Sequence, residues 1–164
     1  LRQLREGGGA ELGGDGWALT RYRDAVFARV LVPQPSVDMA LRVGEELDIP
    51  GVGRVTLEEP AGGARPPHGG ALRLRLRRGG EALETVTGRH RALKSVFQEY
   101  AVPPWWRARV PLLFVEDDAG SELVAVGSFA ASPRLQRQGL RLRWTPAPIV
   151  AGAAPDGIGE AHPD

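Results

Sequence analysis

The sequence predicts an α+β domain in which short strands form sheets and one main helix packs on them. Residues 72–76 and 140–144 alternate apolar residues with arginine, which is the pattern of strands with one buried face. Residues 89–100 space their apolar residues three or four apart, as an amphipathic helix does. Glycine and proline, 22 and 14 in number, recur between these stretches and predict short turns. Runs of strands beside a single helix favour the α+β class.

The first 32 residues predict a linker followed by a hairpin. Residues 1–16 open with LRQLRE and continue into a glycine-rich run, so we expect the end of a preceding helical region and a linker. The glycine run lacks a preceding strand and a Gly-Lys-Ser/Thr exit, which argues against a phosphate-binding loop. Residues 17–32 alternate loosely and break near Arg23, which predicts a β-hairpin. Its apolar side chains are Trp17, Leu19, Tyr22, Val26, Phe27 and Val30.

The hairpin begins a β-rich connecting subdomain that we place at residues 17–58. Residues 33–50 start as a loop and end in a short strand, and residues 52–57 predict a further strand. Residues 60–70, with the sequence PAGGARPPHGG, are a loop by composition.

Residues 59–145 form the second predicted unit, which starts with a strand and the main helix. In the strand, Leu72, Leu74 and Leu76 share one face, and Arg73, Arg75 and Arg77 share the other. The arginine face is either a solvated surface or a basic stripe for a polyanion.

The main helix follows this strand. It buries one apolar stripe, and Thr87 or Gly88 is placed to cap its start. Pro103 and Pro104 end it. The apolar stripe consists of Leu93, Val96, Phe97 and Tyr100.

The rest of this unit predicts three more strands. Residues 111–115 and 122–130 are apolar and flank an acidic loop, which predicts a hairpin. After a turn over residues 132–139, Leu140, Leu142 and Trp144 point to one side of a strand, opposite two arginines. Residues 146–164 show no periodicity, so we expect a disordered tail.

The residues that enzymes commonly use for catalysis do not form a recognisable constellation. The chain has no cysteine, and its three histidines, His68, His90 and His162, lack the spacing of metal ligands. Carboxylates occur as neighbours in sequence, and neighbours on a strand diverge, so they do not predict an acid–base pair. We expect no catalytic residue, no metal and no cofactor in this chain. The first residue is Leu1, and we interpret the chain as a soluble fragment of a longer protein with no membrane partner.

Basic residues are concentrated between residues 71 and 109. This segment holds nine basic and three acidic side chains, a net charge of +6 in a chain whose net charge is +1. Of the 21 basic residues only Lys94 is a lysine, and arginine offers a planar fork that matches phosphate. The excess of arginine is also what a GC-rich genome produces. The alternative is a contact with a polyanion, for which the outward-facing candidates are Arg89, Arg91, Lys94, Arg107 and Arg109, with Arg73, Arg75 and Arg77 as a second rank.

Two local features bear on that contact. Arg89 and Arg91 fall at the start of the predicted helix, where the macrodipole disfavours cations, and a bound phosphate would reverse that cost. Trp105 and Trp106 are neighbours, so one is expected in the core and the other is able to stack on a base or an arginine. The alternative is that both tryptophans are buried under the proline bend.

The segment GRHRALKSVFQEYAVPPWWRARVPLLF, followed by ELVAVGSF, closely resembles the C-terminal domain of bacterial tRNA(Ile)-lysidine synthetases. The resemblance covers roughly residues 10–145 and is strongest over residues 88–129, while His90 and Trp106 depart from the commonest family spelling. The matching motif residues are Gly88-Arg89, Leu93-Lys94, Phe97-Gln98-Glu99, Pro103-Pro104-Trp105, Arg107, Pro111-Leu112-Leu113 and Leu123-Val124-Ala125.

The resemblance implies a β-sandwich-like fold, shared with the phenylalanyl-tRNA synthetase β subunit, and a role in gripping tRNA. The family enzymes are cytoplasmic carbon–nitrogen ligases that use ATP to join lysine to the wobble cytidine of tRNA(Ile) with a CAU anticodon. Their N-terminal domain binds ATP and Mg through an SGGxDS loop, which this sequence lacks. The implied partners are the acceptor stem of tRNA(Ile) and the chain's own N-terminal catalytic domain, and the implied tRNA-binding set is the basic residues above with Trp105.

A second function class stays open on the residues alone. Trp105, Trp106 and the apolar strand at residues 111–115 would serve as the anchor of a protein-interaction or dimerisation domain, including a homodimer, without nucleic-acid contact.

Overall fold

The computed structural model describes residues 11–23, 25–59, 70–148 and 150–151. The sequence predictions for residues 1–10, 60–69 and 152–164 lie outside this range. The described strands are β1 (Glu11–Gly14), β2 (Trp17–Tyr22), β3 (Ala25–Val30), β4 (Asp38–Ala40), β5 (Glu46–Ile49), β6 (Gly53–Glu58), β7 (Ala71–Arg75), β8 (Ala82–Glu84), β9 (His90–Ala92), β10 (Leu112–Asp117), β11 (Gly120–Val126), β12 (Ala130–Ala131), β13 (Arg141–Pro146) and β14 (Val150–Ala151). The described helices are α1 (Leu93–Glu99), α2 (Pro104–Arg107) and α3 (Pro133–Arg137).

These strands form three sheets and one isolated hairpin. The amino-terminal sheet has the order β1-β2-β3-β14, the central sheet β12-β11-β10-β7-β4, and the three-stranded sheet β13-β6-β5. Strands β8 and β9 pair only with each other in the described chain, and we call this unit the basic hairpin. Strands and short helices with antiparallel pairing confirm the predicted α+β class.

One hydrophobic core joins the central sheet, the three-stranded sheet and the helices. Strand β10 runs through its middle, and Leu112 to Val115 are all buried, because neighbouring elements cover both faces of this strand. The leucines of β7 point into the same core, as their alternation predicts, and so do Leu142 and Trp144 of β13. The predicted inner face of each alternating strand is therefore confirmed.

The predicted division between residues 58 and 59 is crossed by two sheets. Strand β4 pairs with β7, and β6 pairs with β13 along its whole length, so strands from both predicted units share hydrogen bonds. The division stays a prediction, and its two parts form one core.

Three predicted boundaries differ from the structure for local reasons. The expected glycine linker contains β1, because backbone hydrogen bonds to β2 hold its Gly13 and Gly14 extended. The expected turn over residues 132–139 contains α3, whose start Ser132 caps by accepting a hydrogen bond from Leu135 N. Two residues of the expected tail, Val150 and Ala151, add a strand to β3.

The main helix is shorter than the sequence predicts. It begins at Leu93, after Arg89 and after the strand residues His90–Ala92, and Ala92 is its N-cap without a side-chain hydrogen bond. The prediction that Thr87 or Gly88 caps it is therefore wrong, because the β9 pairing with β8 keeps residues 90–92 extended. The buried stripe of Leu93, Val96 and Phe97 is confirmed.

A close approach between β6 and β13 explains Gly53. This residue has φ +114°, and a Cβ here would lie 2.5 Å from Ala147 N and closer still to Thr145 O. Gly44 also has a positive φ, +78°, but a Cβ at that position would meet nothing within 4 Å.

We expect Gly53→Ala to lower the free energy of unfolding by about 3 kcal/mol, since it adds a backbone clash to the strain of the positive φ. Gly44→Ala is the matched control and should cost about 1 kcal/mol from the dihedral strain alone. Urea unfolding of both variants measures the difference. Equal losses would contradict the role assigned to the close approach.

Candidate nucleic-acid interface

The basic hairpin turns through a three-residue loop that requires a glycine. Thr85 N donates to Arg89 O at 2.8 Å and Gly88 N donates to Thr85 O at 2.9 Å, which closes the loop Val86–Gly88. Gly88 has φ +73°, the left-handed conformation typical of the last residue in such hairpin loops. The structure thus gives a physical reason for the Gly88-Arg89 pair that carried part of the family resemblance.

Three of the predicted contact residues lie together on and beside this hairpin. Arg89, Arg91 and Lys94 are all exposed, on the loop end, on β9 and on the first turn of α1. Arg91 pairs with Glu99 across α1. Within the described residues no carboxylate pairs with Arg89 or Lys94, so these two cations face solvent unneutralised.

The predicted phosphate site at the helix start has a different geometry. Arg89 and Arg91 precede α1 and do not lie in its first turn, since the helix begins at Leu93. The cation that lies in the first turn of α1 is Lys94. Arg89 and Arg91 are instead exposed on the hairpin, before the helix begins.

The arginine face of the central sheet is neutralised by carboxylates from distant positions. Asp38 Oδ1 accepts from Arg73 Nε at 2.8 Å and from Arg75 Nε at 3.3 Å, and its Oδ2 accepts from Arg78 Nη2 at 3.0 Å. Arg75 also pairs with Glu116. The hydrogen bond from Arg73, aided by those from Arg75 and Arg78, lowers the pKa of Asp38 from 3.8 to about 2.

Sequence reasoning missed Asp38 because nothing local marks it. It lies 35 residues before Arg73, and only the pairing of β4 with β7 brings them together. The Arg77 guanidinium lies 5.9 Å from the centroid of the Phe97 ring, so Arg77 covers the helix rather than joining this cluster. Of the two readings of the arginine face, the structure favours a paired surface over a free basic stripe.

The two tryptophans fall between the two sequence alternatives, since one is in the core and the other is half-buried against it. Trp106 is 3% exposed and its ring contacts Trp144 edge-on at 5.6 Å. Trp105 is half-buried, with the Arg29 guanidinium 5.1 Å from its centroid. The Tyr22 and Phe27 rings lie 5.7 and 5.2 Å from Trp105, so aromatic side chains of the amino-terminal sheet already occupy its surroundings.

Arg107 and Arg109 bind backbone carbonyl oxygens. Arg107 is half-buried and its Nε donates to Val102 O at 2.9 Å. Arg109 is 7% exposed, so the prediction that it faces outward is wrong. It donates to Gly51 O at 2.9 Å, to Pro33 O at 3.2 Å and also to Val32 O. Burial lowers the pKa of the Arg109 guanidinium, and these carbonyls supply the acceptors that a buried cation needs.

The predicted set therefore occupies four separate places. Arg89, Arg91 and Lys94 form an exposed group, which we call the hairpin cations, and Arg73 and Arg75 belong to a carboxylate-paired cluster. Arg77 lies over the Phe97 ring. Trp105, Arg107 and Arg109 belong to residues 103–109, which we call the proline corner. Of these groups, the hairpin cations are the one whose members are all exposed.

The part of the chain that the structure describes contains neither a candidate metal site nor a helix that could span a membrane. No group of three or more histidine, cysteine or carboxylate side chains there is arranged to hold a metal ion. No helix among these residues has both the length and the apolar character needed to cross a bilayer.

Comparison with protein-family models matches residues 72–144 to the TilS substrate C-terminal domain. That range contains the central strands, the basic hairpin and the proline corner. The family resemblance carried by the motif residues is thereby confirmed for this part of the chain.

Individual relatives agree with the family match. The chain is 38% identical over 107 residues to the tRNA(Ile)-lysidine synthase of Pseudomonas aeruginosa, covering 64% of this chain and 22% of that protein. It is 36% identical over 131 residues to the tRNA(Ile)-lysidine synthase of Alkalilimnicola ehrlichii, covering 76% of this chain and 28% of that protein. The chain thus spans less than a third of the length of these curated relatives.

A solved structure titled "Crystal structure of TILS C-terminal domain" is also similar. It has 22% sequence identity and a TM-score of 0.43, over 75% of this chain and 91% of the solved chain.

We expect Arg109→Met to lower the free energy of unfolding by about 3 kcal/mol, because the carbonyl oxygens of Gly51, Val32 and Pro33 lose a charged donor. Arg107→Met removes one hydrogen bond and should cost about 1 kcal/mol, which makes it the matched control. Urea unfolding measures both values. If Arg109→Met lowers the free energy of unfolding no more than Arg107→Met does, the buried Arg109 guanidinium does not stabilise the proline corner.

The Asp38 cluster predicts a pH-dependent part of stability. Because the folded pKa of Asp38, about 2, lies below its ordinary 3.8, the stabilisation is present above about pH 4 and is lost as the pH falls towards 2. We expect Asp38→Asn to unfold more easily than the wild type at pH 7 and to differ from it progressively less between pH 4 and pH 2.

The matched control for this experiment is Asp15→Asn in the turn between β1 and β2. Asp15 is exposed and forms no ion pair with a basic side chain among the described residues, so this variant removes the same charge without breaking a pair. Urea unfolding at several pH values gives the comparison. A constant difference between wild type and Asp38→Asn across that pH range is the outcome that rejects the linkage.

Proposed function

Because residues 72–144 belong to the family of the TilS substrate C-terminal domain, we propose that the chain is the tRNA-recognising part of a tRNA(Ile)-lysidine synthase. The names of the relatives at 36–38% identity support this assignment. The substrate of the recognition step is tRNA(Ile), a double-helical and strongly anionic molecule.

The hairpin cations are the observation that supports this proposal within the chain itself. Residues 85–95 hold three basic residues and no acidic one, and Arg89 and Lys94 lack a carboxylate partner among the described residues. A-form RNA is recognised through phosphates, 2′-hydroxyl groups and shape, so exposed cations on a rigid projecting element suit it. Each phosphate that they neutralise releases counterions, which supplies affinity.

The chemistry of the proposed ligase lies outside this chain. The reaction joins the amine of lysine to the wobble cytidine of a CAU-anticodon tRNA(Ile), with ATP converted to AMP and diphosphate. ATP and Mg are proposed to bind a separate N-terminal catalytic domain, which would be a cytoplasmic partner of this domain in the same polypeptide. This chain would contact the acceptor stem, at a distance from the modified anticodon, and so add recognition without touching the reacting atoms.

The alternative function, a protein-interaction or dimerisation domain, draws on a different surface from the predicted one. Trp106 and the strand at residues 112–115 are buried, so they are not available as an anchor. On the amino-terminal sheet, however, Trp17, Val26 and Val30 are 48%, 54% and 52% exposed on one face. These residues favour a protein contact there, and it can coexist with RNA binding by the hairpin.

We expect Arg89→Gln and Lys94→Gln each to weaken binding to tRNA(Ile) about fivefold to tenfold near 0.1 M salt. Each variant should also reduce the slope of log affinity against log salt by about 0.7–0.9, since one phosphate contact is lost. Electrophoretic mobility or fluorescence anisotropy over a salt series gives both values. Arg141→Gln removes an exposed arginine from β13 and is the matched control, expected to have little effect.

Two results would contradict the proposal. One is an equal loss on Arg141→Gln, which would mean that only total charge matters. The other is binding to tRNA(Ile) no tighter than to an unrelated acidic polymer at every salt concentration. Self-association by sedimentation that survives Arg89→Gln but is lost in Trp17→Lys would support the protein contact on the amino-terminal sheet.

A further inference from the structure

The tip of the basic hairpin carries an apolar side chain that the hairpin cations do not account for. Val86 is 81% exposed, the largest value among the exposed large hydrophobic residues of the described chain. A single exposed valine is ordinary on a protein surface. Val86 is of interest because it lies at the end of a projecting hairpin, in the loop that ends at the exposed Arg89.

Hydrogen bonds hold this tip in one conformation. The loop is closed by the backbone bonds between Thr85, Gly88 and Arg89, and Thr85 Oγ1 donates to Arg89 O at 2.9 Å. The hydroxyl oxygens of Thr85 and Thr87 lie 3.0 Å apart, on either side of Val86 in the sequence. A preorganised loop loses little conformational entropy when it binds, so even a small contact surface contributes to affinity.

The base of the hairpin is attached to the core. Leu83 of β8 is 5% exposed, and Leu93 N donates to Glu81 O at 3.0 Å where the hairpin meets α1. The tip therefore projects from a rigid body rather than from a flexible loop. A projecting element of this kind can reach into a groove while its base stays outside.

The charge around the tip selects the kind of groove. Arg89 is three residues from Val86 at the other end of the loop, Lys94 lies in the first turn of α1 beside the base of the hairpin, and residues 85–95 include no carboxylate. The carboxylate of the hairpin itself, Glu84, lies on β8 opposite His90. An apolar tip beside one cation, with a second cation at the base of the hairpin, fits a groove with sugar edges at its floor and phosphates at its rims. In A-form RNA the minor groove is wide and shallow and displays ribose and base edges, whereas the minor groove of B-form DNA is narrow.

We propose that the basic hairpin enters the minor groove of double-helical RNA, with Val86 packed against ribose and base edges, the Thr87 hydroxyl beside 2′-hydroxyl groups, and Arg89 and Lys94 on the flanking phosphates. This rests on the proposed tRNA-binding function and adds to it the element that reads the helix and the groove that it reads. Val86 acts by shape, and the hairpin cations act by charge.

The test compares Val86→Ser with wild type in the full 164-residue chain, using a 12-base-pair RNA duplex and a DNA duplex of the same sequence. We expect Val86→Ser to weaken RNA binding about tenfold, as loss of one buried valine contact does, with an unchanged salt slope. DNA binding should stay within about twofold of wild type, since the tip does not fit the narrow groove. Val32→Ser, the same change at a 40% exposed valine between β3 and β4, is the matched control and should leave both affinities unchanged.

The possible outcomes distinguish a failure of this inference from a failure of the proposed tRNA-binding function. RNA binding that Arg89→Gln weakens but Val86→Ser does not would overturn the inference and leave the tRNA-binding proposal standing. Equal losses for RNA and DNA would overturn the choice of groove and with it the inference. Wild-type chain that binds neither RNA duplex nor tRNA at low salt would overturn the proposed function and the inference together. Circular dichroism of Val86→Ser, expected to match wild type, excludes loss of fold as the cause.

Discussion

The Arg109 guanidinium is the contact on which the arrangement of the other parts depends. Its donors reach Gly51 in the turn before β6 and Val32 and Pro33 in the segment after β3, while its own backbone follows α2. Three parts of the chain that are far apart in sequence are thereby held at one point. A buried cation without acceptors would be strongly unfavourable, so these carbonyls and this arginine require each other. The proline corner therefore links these three parts of the chain, and its Arg109 side chain belongs to the protein interior.

The same link explains why adjacent tryptophans and arginines follow a double proline. Pro104 starts α2, whose single turn sends Trp106 into the core against Trp144 and leaves Trp105 facing the amino-terminal sheet. Arg29 and the rings of that sheet cover Trp105. Gln34 Nε2 adds a bond to Ala108 O at 3.2 Å beside the Arg109 contacts. The PPWWRAR segment thus fixes the amino-terminal sheet to the central body, and its two arginines bind backbone carbonyl oxygens.

The alternating strands and the apolar stripe of the helix could be predicted because their signals are local. Burial of one face imposes a period of two on β7 and β13, and any such strand shows it in a few residues. The predicted helix start at residue 89 differs from the observed one because residues 90–92 pair with β8. This pairing is a tertiary contact, and local helix propensity carries no information about it. Arg109 was expected outside because a charged residue is rarely buried, and only the three-dimensional position of three carbonyls reverses that expectation. For the same reason no local signal pointed to Asp38.

The net charge of +6 between residues 71 and 109 overstates what a nucleic acid would meet. Asp38 and Glu116 lie outside this segment, yet the central sheet places them against Arg73 and Arg75. Glu99 pairs with Arg91, and backbone carbonyls bind Arg107 and Arg109. Within this segment, Arg89 and Lys94 are then the exposed cations with no carboxylate partner in the described chain, Arg89 at the end of the loop that presents Val86 and Lys94 in the first turn of α1. Long-range pairing therefore narrows the unneutralised charge of residues 71–109 to the hairpin and the helix start beside it. This is a more specific shape than a charged face, and shape is what would distinguish a double-helical RNA from other polyanions.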